Sequence, residues 1–238
     1  MAACESNPTS FISAQRGKGV PELLPLASEC VATPYYCEEN VWKLCEYVEC
    51  HRRETLPNCF AVFISNDKRA VPLWRQKAGR SEDKLVIWRV SPNREGSRTI
   101  VPVFREVMKK SPEDYHAVVM YSEPGSKAVV YDLDSELPFP TFFHKYVTET
   151  FRTDEVLKPE YHRYFRVVPA EQFLRIFASD RSHMLKEDGS WLKPPPNYPP
   201  IVSQVSQNNL ENFISMNPNV DLGHVYTLKQ LVAQFHVT

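Results

Sequence analysis

All six cysteines of this chain, Cys4, Cys30, Cys37, Cys45, Cys50 and Cys59, fall in its first quarter. The rest of the chain has no residue with which to form a disulfide, so whatever folds there must be held by burial of apolar surface. With 238 residues, 42% of them hydrophobic, the chain can build one sizeable core. The thiols then read as belonging to a reducing cytosol or nucleus rather than to a disulfide scaffold. Cys45, Cys50 and His51 lie close together, but no second paired cluster follows to complete a four-ligand zinc site.

Charge and composition remove several function classes. Lys and Arg number 28 against 29 Asp and Glu, a net charge of -1, so no global positive field gathers phosphate backbones or anionic lipid. No stretch approaches the roughly 18 apolar residues of a spanning helix, and the first twenty residues lack the apolar run of a secretion signal. Twenty Pro against 7 Gly, with no Gly-rich phosphate loop, exclude nucleotide enzymes of the P-loop or dinucleotide type.

Residues 1–30 mix Ser, Pro, Gly and Ala without periodicity and read as a flexible extension; residues 31–238 read as a single domain. From Glu38 on, Val41, Leu44, Cys45 and Val48 recur at the spacing of an amphipathic helix, with Cys37 at its N-terminal edge. Cys59 to Ser65 reads as a buried strand with Ala70 to Trp74 as its hairpin partner, and Leu85 to Trp88 starts a third strand. His116 to Tyr121, a turn around Pro124 and Gly125, and Ala128 to Leu133 make a further hairpin. Phe142 to Phe151 and Ala170 to Ala178 read as helices, and Phe165 to Val168 as a short strand. The prolines between 192 and 200 force an extended path over the surface, and Thr227 caps a last helix ending at Phe235. A helix before a largely antiparallel sheet and helices after it make an α+β domain with its sheet between helical layers.

A cysteine at a helix start gains from unpaired backbone N–H groups and the positive end of the dipole, which makes Cys37 the best placed nucleophile of the six. Glu38 and Glu39 oppose this by raising its pKa, so a basic partner is required. Of seven histidines only His116 opens an apolar strand whose hairpin partner ends in an acid, Asp132. The hairpin could set the two side by side, the carboxylate orienting the ring. Thiol, base and orienting acid are what nucleophilic thiol chemistry needs. The competing reading is that Cys37 packs in the core and His116 is structural.

The string Tyr35-Tyr36-Cys37-Glu38-Glu39-Asn40-Val41-Trp42-Lys43-Leu44-Cys45-Glu46 resembles the N-terminal segment of the protein N-terminal glutamine amidohydrolases. The resemblance continues through Val71 to Gln76, Tyr131 to Asp134, Leu137 to Pro140, Phe177 to Met184, Pro194 to Pro199, Asn212 to Met216 and Val225 to Leu228. It implies a three-layer α-β-α sandwich with a mainly antiparallel sheet, akin to papain and transglutaminase folds. It also implies a Cys-His-Asp amidase, with Cys37 the nucleophile, His116 the base and Asp132 the orienting acid. Such an enzyme converts an N-terminal Gln to Glu through a Cys thioester, releases ammonia and feeds the N-degron pathway, with no metal or cofactor. Its partners would be polypeptides with an N-terminal Gln, not nucleic acid or membrane, and it would act as a monomer in cytoplasm or nucleus. Holding the free α-ammonium calls for an acid near the thiol; Glu39 and Asp134 are the candidates, each within two residues of a triad member.

One departure stands out. The family runs Val-Ile-Trp-Asp-Tyr-His as one strand, whereas here Arg89 to Glu113, 25 residues, separate Trp88 from Asp114. Loop closure entropy grows slowly with length, so such an insert is tolerable if both ends still meet in the sheet. Displacing the base by about 1 Å would cost on the order of a hundredfold in rate. The alternatives are therefore an inactive interaction module disabled by the insert at 89–113, or a cysteine peptidase or transglutaminase with the same triad.

Overall fold

The computed structural model describes residues 22–79, 82–89 and 115–236. The insert beyond Arg89 and the extension before residue 22 lie outside them. Six strands form one sheet in the order β6-β5-β4-β1-β7-β8. They are β1 (Cys59–Ser65), β4 (His116–Tyr121), β5 (Val129–Tyr131), β6 (Thr141–Phe142), β7 (Tyr164–Pro169) and β8 (His224–Thr227). Every neighbouring pair is antiparallel.

Alternation along the central strands divides the core. Ala61 and Phe63 of β1 and Ala117, Val119 and Tyr121 of β4 face one side, with α1 (Cys37–His51), α3 (Ala170–Ile176) and α4 (Leu210–Ile214). Val62, Ile64, Val118 and Met120 face the other, with α2 (Phe143–Tyr146) and α5 (Leu228–Phe235). A sheet buried on both faces reads as near-continuous apolar sequence, and β1 and β4 do. The result is the expected α+β architecture: a mainly antiparallel sheet between helical layers, consistent with a papain- and transglutaminase-like fold. Among the described residues no helix is long and apolar enough to cross a membrane.

The helices form where the periodicity places them. α1 buries Val41, Leu44, Cys45 and Val48, and α5 starts after Thr227, whose hydroxyl accepts from the Gln230 backbone N–H while Gln230 reaches back to Thr227. Gly223 stands just before β8 with φ +55°, and a Cβ there would run into the Val167 carbonyl.

One expectation is corrected. Ala70 to Trp74 is not the hairpin partner of β1: β2 (Ala70–Leu73) pairs with β3 (Val86–Arg89) in a separate two-stranded sheet, while β1 lies between β4 and β7. The Asn66 side chain accepts from the Ala70 N–H at 3.0 Å and donates to its carbonyl at 2.8 Å, taking the groups that would have laddered back onto β1. Pro72 in turn has no N–H to give a central position. Leu23 and Leu24, within the stretch read as an extension, are buried in the α1 layer.

Candidate active site

Cys37 occupies the first helical position of α1, directly after Tyr36, and is buried. The first N–H groups of a helix lack intrahelical partners, so negative charge on its sulfur would be favoured there. His116 opens β4, and Asp132 follows the last residue of β5. The antiparallel pairing of these strands therefore brings both to one end of the sheet.

His116 Nε2 lies 3.1 Å from Asp132 Oδ1, and both side chains are buried. With the acid ionised, Nε2 is the nitrogen that donates, leaving Nδ1 for proton exchange. The other acid oxygen, Oδ2, accepts from the Tyr146 hydroxyl at 2.6 Å and from Gln76 Nε2 at 3.3 Å, and Oδ1 also accepts from the Asp134 backbone N–H at 2.9 Å. Burial alone would push Asp132 up; His116, by charge and hydrogen bond, then Tyr146 and the Asp134 N–H, outweigh it and hold the carboxyl below its usual value. Burial likewise disfavours a charged His116, but the Asp132 carboxylate, helped by Asp134, raises the ring above the ordinary histidine value. The Asp132 carboxylate thus favours a protonated His116 ring.

The layers of the fold set where the thiol stands relative to this pair. His116 is paired with Ile64 and shares the α2 and α5 face, from which Tyr146 approaches Asp132. Cys37 arrives from the opposite layer, on the face of Ala117 and Tyr131. Asp134 touches both. It lines a small cavity with Cys37, Ala117, Tyr131 and Leu133, and one ligand atom from each of His116, Asp132 and Asp134 lies within 4.8 Å of the other two. The structure thus groups His116, Asp132 and Asp134 directly, and brings Cys37 to the same end of the sheet from the other side. Asp134 is half-buried; burial and the Asp132 charge raise its carboxyl above the ordinary range against the pull of His116 and Lys77.

Glu39 is placed otherwise. It is fully buried, and its two oxygens each accept a 2.7 Å hydrogen bond from Arg181, one from Nε and one from Nη2. Arg181 also donates to the carbonyl of Tyr198 at 2.9 Å and to those of Pro196 and Pro199 at 3.4 Å. Its neighbour Glu38, also fully buried, has His183 Nε2 3.6 Å from Oε1.

Burial is the main cause that pushes Glu38 up from 4.5 to about 7, with the Glu39 charge adding and the Tyr115 hydroxyl and Cys37 thiol opposing. A carboxyl held protonated by the fold stabilises fully below its unfolded pKa and loses that contribution as pH rises through its folded one. About 2.5 units correspond to about 3 kcal/mol. Glu38→Gln is therefore expected to gain about 3 kcal/mol relative to wild type between pH 4.5 and pH 8, read by urea unfolding at both. An equal difference at the two pH values would contradict this.

His116, Asp132 and Asp134 are the grouping with metal-ligand spacing among the described residues. His116 Nε2 and an Asp132 oxygen already satisfy each other there.

Sequence reasoning passed over Tyr146 and Gln76, which fix Asp132, and Arg181, which fixes Glu39. Tyr146 reads as one more aromatic residue of a helix. Gln76 and Arg181 lie inside resemblance-bearing strings, and nothing local marks their partners, which are 56 and 142 residues away.

Residues 32–90 and 97–235 match the family model described as N-terminal glutamine amidase. The chain is 49% identical over 214 residues to a "Protein N-terminal glutamine amidohydrolase" of Drosophila mojavensis, covering 90% of this chain and 92% of that protein. Proteins of the same description from Drosophila pseudoobscura pseudoobscura and Drosophila melanogaster are 48% identical over the same shares. The family model matches most of the chain and these relatives align with nine-tenths of it, so the chain belongs to the N-terminal glutamine amidase family.

Proposed function

We propose that this chain hydrolyses the side-chain amide of an N-terminal Gln, giving Glu and ammonia, with Cys37 as nucleophile, His116 as base and Asp132 as the acid that orients it. The observation that carries the reading is the buried His116–Asp132 pair at the sheet end where α1 presents Cys37. Cys37 gives its proton to His116, and the thiolate attacks the amide carbon. The imidazolium then donates its proton to departing ammonia, leaving a thioester. Water, deprotonated by His116, hydrolyses the thioester and regenerates the thiol. The first N–H groups of α1 are the donors for the oxyanion.

With Glu39 committed to Arg181, Asp134 is the acid that holds the substrate α-ammonium: it is half-buried and lines the Cys37 cavity. Residues 31–238 act as one domain carrying the 89–113 insert. The protein works as a monomer on polypeptides in a reducing cytosol or nucleus, apart from nucleic acid and membrane, and its Glu-terminated products enter the N-degron pathway.

Gln-initiated, Asn-initiated and internal-Gln peptides separate the readings. Ammonia release from the first alone is the expected result. Amine incorporation at internal Gln would indicate a transferase, backbone cleavage a peptidase, and a folded chain inert to all three an interaction module.

A further inference from the structure

α1 begins without a capping side chain. Tyr36 stands at the capping position and makes no side-chain bond to the helix, where a Ser, Thr, Asp or Asn would ordinarily cover one of the first N–H groups. The entry into α1 is fixed from outside instead. Thr33, Pro34, Tyr35 and Tyr36 form a turn closed by the Tyr36 N–H to the Thr33 carbonyl at 3.3 Å. Proline holds a negative φ at the second position, and Tyr35 at the third has φ +72°, which makes the turn type II. Glycine takes that third position freely. A tyrosine there is strained and persists only where its surroundings hold it.

Asn40 holds it. From the first turn of α1 its side chain reaches back over the helix start and bonds both backbone groups of Thr33, Oδ1 accepting from the N–H at 2.7 Å and Nδ2 donating to the carbonyl at 2.9 Å. The carbonyl that closes the turn is thus bonded twice, and the bracket encloses the strained Tyr35 and, two residues on, Cys37. Asn40 is only 5% exposed and lines the same small cavity as Cys37.

We propose that Asn40 is a positioning residue, which holds Tyr35 in its left-handed conformation and thereby sets where α1 starts and where it presents the Cys37 sulfur to the substrate amide. The proposal rests on the reading of Cys37 as nucleophile. Without the bracket the turn relaxes toward a negative φ at Tyr35 and the thiol shifts, in a protein that stays folded because Val41, Leu44 and Val48 still seat the rest of α1 on the sheet.

Asn40→Ala, Tyr35→Gly and the double variant test this. Asn40→Ala is expected to lower kcat for a Gln-initiated peptide on the order of a hundredfold, the effect of displacing a reacting atom by about 1 Å, with KM changed by no more than about twofold. Glycine adopts the positive φ unaided, so the double variant should recover to within about fivefold of Tyr35→Gly alone. A merely structural contact would lower the thermal midpoint, leave kcat of the folded protein intact and gain nothing from glycine. Asn40→Leu removes the same two bonds without leaving a cavity and serves independently of alanine; thermal unfolding checks that each variant is folded. Alkylation of Cys37 by iodoacetamide at one fixed pH gives a readout independent of turnover, and should slow in Asn40→Ala and recover in the double variant. Undiminished kcat and labelling in a folded Asn40 variant, a loss confined to KM, or a loss that Tyr35→Gly leaves untouched would overturn the positioning role. If the labelling pattern holds while no protein, wild type included, releases ammonia, the amidase reading fails and the positioning of the thiol stands.

Discussion

Cys37→Ala is expected to abolish ammonia release from a Gln-initiated peptide, by about 10⁴-fold or more, with the unfolding midpoint little changed. Removing a nucleophile removes the covalent route altogether, and what remains is the small acceleration due to binding and oxyanion donors. The side chain contributes little else to the fold. It is small, sits at the first position of α1, and its removal leaves Val41, Leu44 and Val48 to hold the helix on the sheet. Cys45 and Cys59 supply the internal comparison. Both are buried free thiols with no helix N-terminus; burial pushes Cys59 up to about 12 and Cys45 well above the ordinary thiol value. Alanine at either should cost stability and spare turnover. Appreciable hydrolysis by Cys37→Ala would remove the nucleophile from the account.

Arg181→Met is expected to cost about 3–5 kcal/mol of stability, because it strands the fully buried Glu39 carboxylate without a counter-charge. Against a total of about 5–15 kcal/mol for an ordinary domain this is severe. It corresponds to roughly 6–20 °C in Tm for a chain of this size. The loss has a second part. The same guanidinium ties down the carbonyls of Pro196, Tyr198 and Pro199, so the proline-rich stretch comes loose from the start of α1. Pairing Arg181→Met with Glu39→Leu should recover much of the loss, since a buried ion pair is replaced at little cost when both charges go together. Differential scanning calorimetry of the single and double variants checks this. A single variant within about 1 kcal/mol of wild type would show that Glu39 is not a committed partner, and would return it as a candidate for the substrate α-ammonium.

These two sites mark how far the sequence reaches. The helix start at Cys37 and the Thr227 cap are local features, set by periodicity and by one hydroxyl and one amide three residues apart, and both are legible. The His116–Asp132 contact is nearly local as well, because one short turn joins their strands. The resemblance supplied the family and the roles of these residues. What could not be read was set by long-range closure. The departure of β2 from β1 depends on Asn66 folding back on Ala70, and the burial of Arg166 depends on the carbonyls of Ser215 and Asn217 and of Leu222 arriving around it. The same holds for Glu39, whose acidic neighbourhood near a thiol suggested a substrate contact until Arg181, 142 residues on, took both its oxygens.

The thiol and the imidazole come to the end of the sheet from opposite layers, so the account depends on their acting as one unit. The rate of Cys37 alkylation by iodoacetamide as a function of pH, with the site of labelling read by mass spectrometry, tests this directly in the wild-type chain and in His116→Ala. The account predicts rapid labelling of wild-type Cys37 near neutral pH, where an imidazolium stabilises the thiolate, and a His116→Ala profile that rises only toward the ordinary thiol pKa of about 8.5. Superimposable profiles for the two proteins would contradict it.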